Sequence, residues 1–118
     1  MQFDHEKLDV YKASLKFAAQ STELVEGLPP GKAYLADQLN RATLSICLNI
    51  GEGAGEYSRN DKARFYRMSK RSATECAAVV DVCRILKLGT SDHLDKCRSS
   101  LISIVSMLIK LIKAISKA

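Results

Sequence analysis

Gln38, Arg41, Ser45, Asn49 and Glu52 are the residues whose types and spacing most suggest chemistry, because at helical periodicity they fall in one narrow column. Leu39, Ala42, Ile46 and Ile50 flank that column on one side and Leu44 and Leu48 on the other, so a polar strip runs inside an apolar segment. An amphipathic surface helix has instead a single apolar stripe and a broad polar back. Two kinds of chemistry fit. One is a pocket in which Glu52, with Glu75 further along the chain, exchanges protons. The other is a polar network of Arg41, Ser45, Asn49, Glu52, Arg71 and Glu75 that hydrogen-bonds between helices and fixes their register. Catalysis needs a nucleophile, base or metal in an open cleft, and neighbouring arginines hold glutamates in the ionised form. The pattern therefore favours the network, and no catalytic residue is assigned.

A second cluster offers a different chemistry. Between Arg59 and Arg71 stand six cations, Arg59, Lys62, Arg64, Arg67, Lys70 and Arg71, against the single acid Asp61. That local excess equals the formal net charge of the whole chain, +5. Basicity concentrated in one patch points to an anionic partner. Phosphates of structured RNA match it, with Tyr57 and Tyr66 as candidates for base stacking; a solvated helix face is the plainer reading. The four cysteines, Cys47, Cys76, Cys83 and Cys97, form no C-x-x-C pair, and His5 and His93 complete no zinc-ligand spacing. No metal or cofactor is expected, and the thiols read as reduced residues of a cytoplasmic core. The opening MQFDHEKLDV lacks the basic and apolar regions of an export signal.

The elements that must position these residues are helices. At 118 residues, 47% of them hydrophobic, the chain suits one domain able to bury a single core. Helices are expected over about 4–26, 33–54, 59–88 and 91–117. The first starts with Asp4 as N-cap, carries a stripe of Leu8, Tyr11, Leu15, Ala18, Thr22 and Val25, and stops at the breakers Gly27, Pro29, Pro30 and Gly31. Gly51, Gly53 and Gly55 mark either the exit of the second helix or a close approach by a neighbour. With no strand before them they are not a nucleotide-binding fingerprint. Ser58 and Asp61 form a variant capping box for the third helix, which Gly89 closes. Thr90 or Ser91 caps the fourth, whose Leu94, Cys97, Leu101, Ile104, Leu108, Leu111 and Ile115 make a heptad seam.

Ile102, Val105, Ile109 and Ile112 widen that helix's apolar surface beyond one seam, so it is expected to contact more than one neighbour, a subunit boundary being one such contact. Its apolar run, interrupted by Lys110 and Lys113, is too short to span a membrane. Lys110, Lys113 and Lys117 also fit membrane-surface binding, but the seam favours burial against protein. The expected architecture is an all-α, up-down-up-down, left-handed four-helix bundle.

On these residues a family resemblance emerges. Arg41-Ala42, Ser45, Asn49-Ile50 and Glu52-Gly53, followed about twenty residues later by Arg71-Ser72-Ala73 and Glu75, resemble the four-helix-bundle proteins encoded in intervening sequences of bacterial 23S ribosomal RNA genes. FDHEKLDVYKASLKFA is similar to that family's first helix, and LPPGKAYLADQLNRATLSICLNIGEG to its most characteristic run, so nearly all of the chain is covered. Ile46-Cys47 and Asn40 depart from the family pattern, and Asn40 replaces a positive charge. The resemblance implies an all-helical protomer in a ring-shaped homopentamer with a link to RNA. Related bundle proteins serve as accessory factors of diversity-generating retroelements, binding a reverse transcriptase and nucleic acid. The function expected is therefore non-enzymatic: an oligomer that binds structured RNA or a nucleoprotein through the third helix. The alternative is a protein-interaction scaffold or accessory factor with no direct RNA role. No membrane partner is expected.

Overall fold

The computed structural model describes residues 1–116. They form a short 3-10 turn over Asp4–Lys7 and four α-helices: α1 Asp9–Glu26, α2 Ala33–Gly55, α3 Arg59–Ile85 and α4 Ser91–Ser116. Among the described residues there is no strand. Each helix packs on two others, α2 on α1 and α3, and α4 likewise on α1 and α3, so the four surround one core. The molecule measures 48 × 28 × 21 Å. The expected end of the fourth helix at residue 117, and Lys117, lie outside the described residues.

The core stripe of α1 is displaced by one position from the one expected. Val10, Ser14, Phe17, Ser21 and Leu24 are buried, whereas Leu15 and Thr22 face solvent. Two serines had disguised the true stripe, and each is satisfied inside the bundle: Ser14 Oγ donates to the Tyr11 carbonyl (2.6 Å), and Ser21 Oγ pairs with Thr43 Oγ1 of α2 (3.0 Å). The start of α1 also differs. Asp4 heads the 3-10 turn instead of capping the helix, and extended Leu8 separates the two. That arrangement brings the His5 ring edge-on to Tyr11, with centroids 4.6 Å apart, and lays the turn against α2.

Helix ends follow backbone accounting. Ser58 Oγ accepts the Asp61 amide (3.0 Å), capping α3 as the sequence predicts, and Thr90 Oγ1 accepts the His93 amide (3.1 Å) at the start of α4. At its other end α3 stops at Ile85, earlier than expected. The Leu88 amide reaches the Cys83 carbonyl (2.8 Å) and the Lys87 amide reaches the Arg84 carbonyl (3.1 Å), with Lys87 at φ 59°. This is a Schellman closure in which lysine occupies the left-handed position glycine prefers. Gly89 follows at φ 74°, where a Cβ would also meet Leu24 Cδ1 at 3.0 Å.

Phe17, Leu39, Ile46, Ile50, Leu101, Ile104 and Leu108 are fully enclosed, each contributing about 1.5–3 kcal/mol by removal from water. α2 runs through its glycines to Gly55, and Gly53 is where α3 comes close: a Cβ there would lie 2.7 Å from Tyr66 Cε1. α4 has the length and mean hydropathy, 1.7 over eighteen residues, to cross a membrane by length and composition alone, which corrects the expectation that its apolar run is too short. Yet Leu94, Cys97, Leu101, Ile104 and Leu108 sit in the bundle core, while much of its remaining apolar surface is only half covered.

Two substitutions test these closures by thermal unfolding. Lys87→Gly removes left-handed strain and should stabilise by about 0.5–1 kcal/mol, near 4 °C in melting temperature per kcal/mol. Gly53→Ala should destabilise by about 1–3 kcal/mol through overpacking against Tyr66. A Gly53→Ala protein as stable as the parent would mean that the ring does not pack there.

Candidate nucleic-acid interface

The polar column of α2 lies on the rim it shares with α3, not between helices. Ser45 is its centre: Ser72 Oγ donates to Ser45 Oγ (2.8 Å), and Asn49 Nδ2 donates to the same oxygen (3.0 Å) and to the Ser45 carbonyl (2.9 Å). Gln38 Nε2 donates to Glu75 Oε2 at 3.3 Å. Arg41, Glu52 and Arg71 are exposed and, among the described residues, take no part in an ion pair or side-chain hydrogen bond. The expected six-residue network thus contracts to Ser45, Asn49 and Ser72 with a separate Gln38–Glu75 contact. The reason is angular position: Arg41 and Glu52 lie on the exposed side of α2 and Arg71 on the outer face of α3, while Ser45, Asn49 and Ser72 reach the α2–α3 seam. Leu44 and Leu48, flanking the column, are exposed as well, Leu48 by 58%.

The two glutamates weighed as an acid–base pair line different hollows. Glu52 borders one of about 420 Å³ with His5, Tyr11 and Cys47, while Glu75 borders another on the outer face of α3 with Arg67 and Arg71. Neither of these two hollows brings the two carboxyls together. Among the described residues, no three His, Cys, Asp or Glu side chains are grouped to hold a metal.

The basic cluster is divided by the fold. With Ser69, Ser72, Cys76, Val80 and Cys83 buried, helical geometry turns Arg59, Arg64, Arg67, Lys70 and Arg71 outward or toward the edges of α3. Lys62 points the other way: its Nζ donates to the Gly53 carbonyl (3.3 Å) and the Ala54 carbonyl (3.0 Å), closing the C-terminus of α2. A cation there also meets the negative end of the helix dipole. Arg64 lies over the Phe65 ring at 4.7 Å. Tyr66, a candidate for base stacking, is only 3% exposed, and burial pushes its phenol pKa up; Tyr57 is fully exposed beside the α3 cap.

Two hollows join Arg59, Arg67, Lys70 and Arg71 into one surface, and Arg64 lines neither. One of about 230 Å³ is lined by Arg59, Asn60, Ala63, Arg67, Ile115 and Ser116, and the other, of about 510 Å³, by Arg67, Lys70, Arg71, Thr74, Glu75 and Ala78. Arg67 belongs to both. The contribution of α4 was missed in the sequence, although the small Ala63 between Arg59 and Arg67 at four-residue spacing marks the notch that admits it.

A family model described as 23S rRNA-intervening sequence protein matches residues 6–110. The chain belongs to that family. It is also similar, with a TM-score of 0.81, to the crystal structure of a protein of unknown function from the S23 ribosomal protein family of Bacteroides thetaiotaomicron. The two share 24% identity over 88% of this chain and 95% of the other, a likeness that shows the fold alone. Among curated proteins nothing matches the chain.

Within this 23S rRNA-intervening sequence protein the thiols sit mainly in the core. Burial pushes Cys76 and Cys97 up to about 11 from an ordinary 9.0, and raises Cys83 too; Glu75 adds to the rise at Cys76 while the Thr43 contact opposes it. A thiol whose folded pKa is raised favours the folded state below the unfolded value and loses that contribution as pH climbs through the folded one. Stability should therefore fall between about pH 9 and pH 11. At pH 8 a maleimide should label Cys47 at most, with the other three reacting only after denaturation; rapid labelling of all four in the native protein would contradict this packing. Lys62→Met should cost about 1–2 kcal/mol in chemical denaturation, and no loss would deny Lys62 its capping role.

Proposed function

We propose that this family member is a non-enzymatic, cytoplasmic homo-oligomer that binds structured RNA through the outward cations of α3. The observation that carries the reading is that Arg59, Arg67, Lys70 and Arg71 line adjoining hollows in which, among the described residues, Glu75 is the sole acid, with Arg64 on the same helix. Clustered guanidinium groups on a rigid helix suit phosphate oxygens. Lys62 and Tyr66, being committed to the fold, are not part of the binding set.

The protomer is an up-down-up-down left-handed bundle, and the assembly a ring-shaped homopentamer that repeats the basic face. Leu44 and Leu48, exposed one turn apart on α2, are its proposed subunit contact. Repetition multiplies contacts that are individually weak. The second reading, a protein-interaction scaffold or an accessory factor such as one serving a reverse transcriptase, draws on the half-covered apolar surface of α4.

With a duplex RNA hairpin as probe, affinity should drop about a hundredfold from about 50 to about 200 mM salt if four phosphates are contacted. Changing Arg64, Arg67 and Arg71 together to glutamate should abolish binding, and Lys62→Met should leave it intact. No binding at low salt, or full binding by the triple variant, would refute the RNA reading. Light scattering after nuclease treatment should give a pentamer for the parent and a smaller species for Leu48→Arg; a parent monomer would refute the ring.

A further inference from the structure

We propose that the trough between α3 and α4 docks an amphipathic helix of a partner protein, one that presents two aliphatic anchors flanked by carboxylates. Ala73, Thr74 and Ala77 of α3 keep the trough open because none carries a long side chain, and Leu101, Ile102 and Val105 of α4 form the opposite wall. The trough encloses about 220 Å³, less than the roughly 300 Å³ at which small-molecule pockets begin. A groove of this size takes side chains spaced three or four residues apart on an approaching helix. Ile102 is 53% exposed although its neighbour Leu101 is fully buried, so an aliphatic side chain faces water at the rim.

Charge selects the occupant. Arg98 borders the trough on the α4 side, and Thr74 connects it on the α3 side to the hollow containing Lys70 and Arg71. Cations thus stand on both flanks of an apolar floor, outnumbering the carboxylate of Glu75, which lines the α3-side hollow and accepts from Gln38, and among the described residues Arg98 has no acidic partner. RNA phosphates would meet the arginines but gain nothing from Ile102 and Val105, whereas an acidic amphipathic helix satisfies floor and rim together. A second copy of this chain fits less well. An exposed aliphatic pair such as Leu44 and Leu48 is flanked at helical spacing by Arg41 before it and Glu52 after it, so it brings one cation and one carboxylate where the rim calls for carboxylates on both sides. This docking goes beyond the RNA reading, since Arg98, Ile102 and Val105 lie outside the residues assigned to phosphate, although the two surfaces share the Lys70 and Arg71 flank.

The test uses the full-length protein and three probes: a fluorescent helical peptide with leucines at i and i+4 flanked by glutamates, its lysine-flanked counterpart, and a duplex RNA hairpin. The glutamate peptide should bind at least about tenfold tighter than the lysine peptide, and Ile102→Glu should weaken it by about tenfold or more. Arg98→Glu should narrow or invert the preference between the peptides, an effect that a merely structural role for Arg98 would not produce. RNA affinity should change less than about twofold in Ile102→Glu, so loss of RNA binding and loss of peptide docking are separable. Equal affinity for both peptides overturns the proposal, as does glutamate-peptide binding that Ile102→Glu leaves unchanged. Displacement of the peptide by RNA, with RNA binding itself lost in Ile102→Glu, would assign the trough to nucleic acid and overturn it too. Circular dichroism checks that Ile102→Glu folds; if it does not, the charge inversion by Arg98→Glu decides alone.

Discussion

Small hydroxyl groups buried at the contacts of α2 with its neighbours are the constraint on which the arrangement depends. Ser21 of α1 meets Thr43 of α2 at 3.0 Å, and Thr43 meets Cys76 of α3 at 3.7 Å, so one chain of polar atoms crosses three helices. Ser69 Oγ donates to the Ile46 carbonyl at 2.9 Å, and Ser72 reaches Ser45. No buried side-chain nitrogen or oxygen among the described residues lacks a partner. A register slip would strand several hydroxyls at about 1–3 kcal/mol each, a large share of the stability of a domain this size. The same small residues bring α2 and α3 close enough for Gly53 to face the Tyr66 ring.

That inner seam determines what the outside of α3 can be. Apart from Tyr66, the buried face of α3 is made of Ala, Ser, Cys and Val, which leaves most of its long side chains to solvent, and many of those are cations. Lys62 is the exception because it lies on the side facing the end of α2, where free carbonyls accept its ammonium. Along the α3–α4 boundary the same small residues leave a furrow, basic near Arg59 and Arg67 and aliphatic near Ala77 and Ile102. One packing rule thus accounts for the seam, the cationic face and the trough.

Much of the fold was legible from the sequence. The breakers at Gly27 to Gly31, the Ser58 cap and the heptad of α4 depend on local chemistry, and each appears where the residues indicate. What escaped depended on partners that residue type does not announce. In α1, Ser14 and Ser21 interrupt the apolar stripe, Ser14 bonding the Tyr11 carbonyl of its own helix and Ser21 pairing with Thr43 of α2. The end of α3 moved because Lys87 adopts a left-handed conformation that a residue-by-residue reading reserves for glycine. In the candidate site, the column of α2 was periodic enough to suggest burial, yet periodicity cannot distinguish a seam from its rim. Arg41 and Glu52 fell on the exposed side, as did Leu44 and Leu48. The cationic face of α3 was more legible, since charge density is a property of composition, and only Lys62 was diverted.

Amide hydrogen exchange with and without a duplex RNA hairpin at low salt tests most directly whether α3, and not the α2 column, is the working surface. Added protection is predicted along residues 59–71 of α3, with none gained over residues 41–52 of α2. Protection confined to α2, with α3 unchanged by RNA, would contradict it.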